Sequence, residues 1–510
     1  MSHRLKIIGV TLGFLVAALW PLAVYPDLHL RDFPNHMARA FILLHPDDPV
    51  LMRNFRIAWA PIPDIGWDVW ALVLGQAMSL VTAAKFLIVT SLVLGISGCF
   101  ALARIFTGRW TLTPLLAFPF FLNGAYGMGF LSFTLGLSLS LWAMAWWAAT
   151  ENRNWMLRLV VATSFATLLY LIHLYAFAAY GVFVLGFELP TLWQNRREKN
   201  FPARLALLLR DGLQAAPAVL LLLLAQTTEK SAGGIEYQEP WIRFGQVALM
   251  IHSGRPWTDI IPILAYAGLL ITTQKKGWLL LSSRVRVILA LYLVLFLVLP
   301  DQIINTAYVA WRTLLPLAFV GIAAMAPGPF MPRWTFRVML GIAFALTLAV
   351  PLIRNADLMR STQGKEQFLS VIEPMDDGGK IFFAHSGIDP YSLTSTEPGI
   401  DHVAAYAVLE KRALVKSLFV LPGQHVLRFR DEGLLGPTIG EINNTETILA
   451  KVAKAFSDTH TDFFAYIEKF DYVVLHGEDR TLEDRVLPMD RLTLMKQVGA
   501  YRLFRVRRFS

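Results

Sequence analysis

Apolar residues fall in long blocks along this chain, and charged residues gather in the gaps between them. Eleven blocks read as membrane spans: Ile7–Val24, Phe86–Ala103, Leu112–Tyr126, Phe130–Ala149, Leu159–Ile172, Leu174–Leu192, Gly212–Ala225, Ile260–Thr273, Val285–Pro300, Thr313–Ala326 and Val338–Leu352. Another apolar stretch, Gly66–Leu80, contains Asp68 and ends in GQAMSL. It reads as a helix lying along the membrane surface.

Loop charge orients these spans. With the N-terminus in the cytoplasm, the inside segments carry 17 Lys and Arg, whereas the outside loops carry about half as many on longer sequence. Treating Gly66–Leu80 as a crossing would invert every later loop and place the basic ones outside. Arg4 and Lys6 precede the first block as in a signal peptide. No small-x-small site precedes Tyr25-Pro26-Asp27, however, so the block reads as an uncleaved first span.

After Leu352 the pattern changes. The charged fraction rises from about 12 % to about 27 %. Strand-like runs occur at KIFFAH (380–385), YVVLH (472–476) and YRLFRV (501–506), with helical spacing of apolar residues between them. The expected fold is a polytopic α-helical membrane protein of about 11 transmembrane helices. Residues 1–352 form its membrane domain, with a long first outer loop at 27–84, and residues 353–510 form a soluble outer α/β domain.

Composition agrees: 55 % of the 510 residues are hydrophobic and 16 % charged, with mean hydropathy +0.50. The net charge of +9 might suggest nucleic acid, but from residue 353 onward 20 basic residues face 22 acidic ones. The excess therefore lies in loops between spans, and no nucleic-acid surface is expected. One cysteine, Cys99, excludes an intrachain disulfide and a thiolate metal site. No Walker loop, HExxH or GxSxG motif is present. HPDDP (45–49) reads as a solvated turn between prolines.

Chemistry concentrates in LHLRDFPNHMARAF, just beyond the first span. Asp32 and Pro34 fit an N-cap followed by a proline in the first helical turn, which by itself would account for the acid. His36 and Arg39 share one face of that helix. The same carboxylate could take a proton from a hydroxyl while the cations hold a phosphate. Further outer candidates are His252 and Arg255 in IHSGRPW, Arg312 at the outer end of a span, His173 at an outer turn or inside the membrane, and Tyr126 in the aromatic hairpin 120–133. A lone interfacial arginine also snorkels to head groups, and a turn histidine also serves local hydrogen bonding.

The layout resembles the GT-C superfamily of membrane glycosyltransferases, here of the bacterial, polyprenyl-phosphate-sugar dependent type. Loop 27–84 corresponds to their acid-bearing outer loop, with Asp32 at the acid position and PDIGWDVWALVLGQAMSL as the surface helix. ALARIFTGR (101–109) is similar to the basic end of their second span, and FDYVVL…YRLFRV to closing strands of several bacterial members. The resemblance implies transfer of a hexosyl or pentosyl unit from a lipid-linked sugar donor to a glycan or lipid acceptor, at the outer face of a bacterial inner membrane. Asp32 and His36 would be catalytic; Arg39, His252, Arg255, Arg312, His173 and Tyr126 would bind substrate. Membrane lipids are partners. No cofactor is expected, and the question of a divalent cation stays open. A lipid or glycolipid transporter or flippase is the alternative, but it predicts polar residues along several spans and internal symmetry.

The charge pattern generates one direct test. A C-terminal alkaline phosphatase fusion is expected to be active and the matching fluorescent-protein fusion dark; the reverse pair would overturn the eleven-span topology.

Overall fold

The computed structural model describes residues 3–194, 201–226, 234–254, 256–303, 306–385, 400–420, 423–431, 466–477 and 489–508. Its main helices are α1 (His3–Val24), α2 (Phe33–Leu44), α3 (Gly66–Leu74), α4 (Leu80–Thr107), α5 (Leu131–Ala149), α6 (Trp155–Ile172) and α7 (Leu174–Gln194). They continue with α8 (Pro256–Lys275), α9 (Ser283–Val298), α10 (Leu314–Ala323) and α11 (Arg333–Ile372). Among the described residues, seven helices are long and apolar enough to cross a membrane: Arg4–Val24, Leu80–Thr107, Leu131–Ala149, Trp155–Ile172, Leu174–Trp193, Leu205–Ala225 and Arg333–Ile372. This is a membrane protein whose core packs helix on helix.

Seven of the eleven apolar blocks lie in these helices; of the other four, Ile260–Thr273 lies in the 20-residue helix α8 and the remaining three form shorter or irregular elements. The block Leu112–Tyr126 folds as a buried 3₁₀ helix, Thr113–Phe121, followed by the short helix Gly124–Met128. Pro119 lies inside the first of these. A proline there has no N–H to give to the helix ladder, although prolines are also accommodated inside α1, α7, α8 and α11. Two further blocks give helices of only 16 and 10 residues, α9 and α10.

Helix α3 has nine residues, about 14 Å of rise, too short for a hydrocarbon layer of about 30 Å. It does not cross. Rather than lying free on a surface, it buries Trp67, Asp68 and Ala71 against the neighbouring helices and leaves Val69 and Val73 outward.

The C-terminal half adds strands β2 (Lys380–His385), β3 (Leu414–Val415), β5 (Tyr472–His476), β6 (Leu492–Val498) and β7 (Tyr501–Val506), in the order β6-β7-β5-β2-β3. The two hairpin-side pairings are antiparallel and the two pairings of β2 are parallel. All three strand-like runs of the sequence are therefore strands of one mixed sheet. Helix α11 passes through position 352 without a break and packs its far end on this sheet.

The sheet does not close its core alone. Strand β1 (Phe55–Ile57), in the first loop, pairs antiparallel with β4 (Leu427–Phe429). Ala38, Ile42, Leu51 and Phe55 from that loop share an apolar cluster with Phe368, Ile381, Val403 and Val473. Loop 27–84 thus forms the layer between helical body and sheet. An even number of crossings must separate β1 from β4, because both lie in that layer.

Candidate active site

Asp32 precedes α2, with Pro34 in the first turn, as the capping pattern suggests. Its side chain makes no capping hydrogen bond. Instead, Oδ1 lies 3.3 Å from Nε2 of His402, which comes from the C-terminal region. The backbone holds the acid in place: Arg31 and Asp32 donate their N–H groups to the carbonyls of Gly127 (3.3 Å) and Met128 (2.8 Å). The turn that offers these carbonyls ends at Gly129, whose φ of +85° suits glycine, and a Cβ there would stand 3.1 Å from the Leu30 Cβ.

One helical turn on, His36 is buried with Trp67 and Phe419 edge-on at centroid distances of 6.3 and 6.0 Å. Its Nδ1 lies 3.5 Å from Nη2 of Arg39, and the Gly129 carbonyl also faces the ring. Burial first, then the Arg39 charge, hold the imidazole well below its usual range, so it is neutral. Arg39 has no exposed surface and donates from Nε to Asp68 Oδ1 at 2.6 Å. It lies beneath the site as the tie between α2 and α3. Trp67 strengthens that tie: its indole donates to the His36 carbonyl (2.9 Å) and its backbone N–H to Ser132 Oγ (3.0 Å).

Asp64, at the loop end before α3, adopts φ +70°, a strained conformation for a non-glycine residue. Burial pushes its carboxyl up to about 7, against the opposing pull of Arg39, Ser132 and Arg312, with Asp68 adding to the rise. Arg312 is buried over the ring faces of Phe130 (4.6 Å), Tyr175 (4.7 Å) and Phe133 (5.2 Å). Its Nη1 is 3.3 Å from His173 Nε2 and its Nη2 donates to the Ala307 carbonyl at 3.2 Å. It makes no ion pair among the described residues, and its Nε has no hydrogen-bond partner there. Asp64 and Asp32 both lie in its field.

The remaining sequence candidates form a second cluster on the far side of the Gly127–Gly129 turn. His252 donates its backbone N–H to the Leu122 carbonyl (3.0 Å). Gly127 leaves so little room that a Cβ there would strike both His252 and Arg354. Burial and the Arg354 charge bring the His252 imidazole down to about 3. Tyr126 and Arg354 line a small, partly open cavity of about 40 Å³ between α1 and α11. Tyr126 also lines a small, partly open apolar cavity of about 40 Å³ between α1, α4 and α5, which reaches Phe130 and Phe133 under Arg312. Arg255 lies outside the described residues.

The structure thus brings together Asp32, His36, Arg39, His173 and Arg312, sets His252 apart, and places Tyr126 on the cavity that reaches Phe130 and Phe133. Asp64, Ser132, His402 and Arg354 join these clusters without having been singled out as site residues. The signal for Asp64 was its place in the acid-bearing loop; for His402 the local sequence offers little beyond the start of a helical pattern. HPDDP is a turn as expected, with Asp48 accepting from the Val50 and Leu51 N–H groups and pairing with Arg412 at 2.8 Å. No group of three or more metal-ligating side chains gathers among the described residues.

Among solved structures, the chain is similar to ArnT from Cupriavidus metallidurans bound to undecaprenyl phosphate, at 12 % identity over 99 % of this chain and 98 % of that one, with a TM-score of 0.43. No protein-family model matches the chain, and no curated protein matches it.

The Asp64 environment predicts a pH signature. Its carboxyl moves from an ordinary 3.8 to about 7 on folding. The stability linked to its proton is then complete below about pH 4 and lost as pH rises through about 7. Thermal melting of wild type relative to Asp64→Asn is expected to fall across that window and to level off above it. A pH-independent difference would contradict this environment for Asp64.

Proposed function

We propose that the protein is an integral-membrane glycosyltransferase of the bacterial inner membrane. It moves a sugar from a polyprenyl-phosphate-linked donor to an envelope glycan or lipid acceptor at the outer face. The observation that carries this reading is Arg312, a buried guanidinium without a carboxylate in contact among the described residues, beside two acids and above an apolar cavity. A buried cation without a counter-ion is costly, and a phosphate would supply one. The apolar lining around Phe130 and Phe133 suits the lipid end of such a donor, because a lipid-linked donor stays in the bilayer while its phosphate meets the interface.

In this reading the acceptor hydroxyl gives its proton to Asp32 as its oxygen attacks the anomeric carbon. The bond to the carrier phosphate breaks with its electron pair on the phosphate oxygen, where Arg312 neutralises the charge. The carboxylate also stabilises oxocarbenium character at the transition state. His36, neutral and enclosed, holds the first turn of α2, and Arg39 with Asp68 fixes the helix pair beneath. Arg39 is thereby a support of the site, and His173 orients Arg312 from the end of α6. The charged C-terminal region and loop 27–84 share one layer, which this function places outside the membrane.

Two measurements test the reading. Asp32→Asn should lose at least ~10²-fold in turnover of lipid-linked sugar extracted from the host's membranes, with expression and donor binding kept, because a positioned base contributes at least that much. Near-native turnover would move the search to Asp64 and leave Asp32 a helix-start residue. Arg312→Ala should weaken undecaprenyl phosphate binding by roughly tenfold or more, the worth of a charge-assisted hydrogen bond, in protein whose melting confirms folding. Unchanged affinity would remove Arg312 from the donor site.

A further inference from the structure

The partner of Asp32, His402, comes from a part of the chain 370 residues further on. His402 sits in a 3₁₀ helix, Ile400–Ala405, that leads into the helix Tyr406–Lys411, and both pack on α2. Val403, Ala404 and Ala405 are buried, so the turn that carries the imidazole has little freedom. Two more ties fasten this region over the first turn of α2. The Phe419 backbone N–H donates to Asn35 Oδ1 at 3.1 Å, and β1 pairs with β4. The Phe419 ring is edge-on to His402 at 5.0 Å and to His36 at 6.0 Å, closing the apolar side of the pair. Asp32 Oδ2, by contrast, accepts no hydrogen bond from the described residues.

We propose that His402 is a positioning residue for Asp32: its Nε2–H donates to Oδ1 and aims Oδ2 at the acceptor hydroxyl. The inference rests on the proposed role of Asp32 as base. The proton of the hydroxyl passes to Oδ2, the carrier phosphate departs with the bonding electrons, and His402 neither gains nor loses a proton. A carboxylate with one oxygen tethered loses rotational freedom, and misplacing a reacting group by about 1 Å can cost about 10²-fold. The C-terminal region would then complete the active site instead of only flanking it.

The test uses purified full-length protein and lipid-linked sugar extracted from the host's membranes, with kcat, KM and thermal melting measured together. His402→Ala should lower kcat by roughly tenfold to a hundredfold with KM and melting unchanged. His402→Gln, whose amide N–H can reach the same oxygen, should recover most of kcat. The double variant Asp32→Asn with His402→Ala should be no slower than Asp32→Asn alone, because the tether has nothing left to aim. An inactive Asp32→Asn beside a fully active His402→Ala would overturn the role of His402 alone. Equal losses in the Ala and Gln variants, tracking lowered melting, would overturn it in favour of a packing role. An active Asp32→Asn would overturn the base assignment, and this inference with it.

Discussion

The Arg39 guanidinium and the Asp68 carboxylate, 2.6 Å apart and wholly buried, join two helices of one loop. Each charge alone would be prohibitively costly at that depth, so neither helix can leave without stranding the other's ion. The pair fixes α3 against α2. Trp67 then reaches the His36 carbonyl and the Ser132 hydroxyl, and the chain entering α3 is forced into the left-handed conformation at Asp64. The first turn of α2, with Asp32 and His36, is set by the same arrangement. The site rests on this ion pair as a wall rests on its footing.

Above that base the charges are unevenly matched. Arg39 has a partner carboxylate, whereas Arg312 has aromatic faces, a histidine and a carbonyl. Ring faces attract a cation but do not cancel its charge. Two carboxyls share the neighbourhood, and burial pushes one of them, Asp64, up to about 7. An arrangement of this kind is underfilled with negative charge at one point and oversupplied with acid at another. That asymmetry suits a reaction in which an anion arrives at the cation and a proton at an acid.

The C-terminal region is bound into this arrangement through its core. Its sheet shares buried residues with loop 27–84, and the β1–β4 ladder makes that sharing specific in register. The core of the sheet is therefore complete only with residues of this loop in place. His402 arrives at Asp32 as a consequence.

Much of the architecture was legible in the sequence. Apolar blocks separated by charge mark the helices that cross, since a backbone in hydrocarbon must satisfy its own hydrogen bonds. Short strand-like apolar runs mark β2, β5 and β7, and the tight grouping in residues 28–41 points to the acid, imidazole and guanidiniums in and just before α2. Block hydropathy could not tell a span from a buried 3₁₀ helix at Thr113–Phe121, because both environments demand apolar side chains. Nor could local pattern show that Arg39 turns down to Asp68 while Arg312 has no carboxylate in contact among the described residues, or that His252 lies behind the Gly127–Gly129 turn. Those distinctions depend on which distant segments meet, from Ser132 and Arg312 to His402. The sequence by itself determined where the chain is apolar, charged and bent; only the tertiary structure decided which buried charges are matched, because the cost of burying a charge is settled by its neighbours in space.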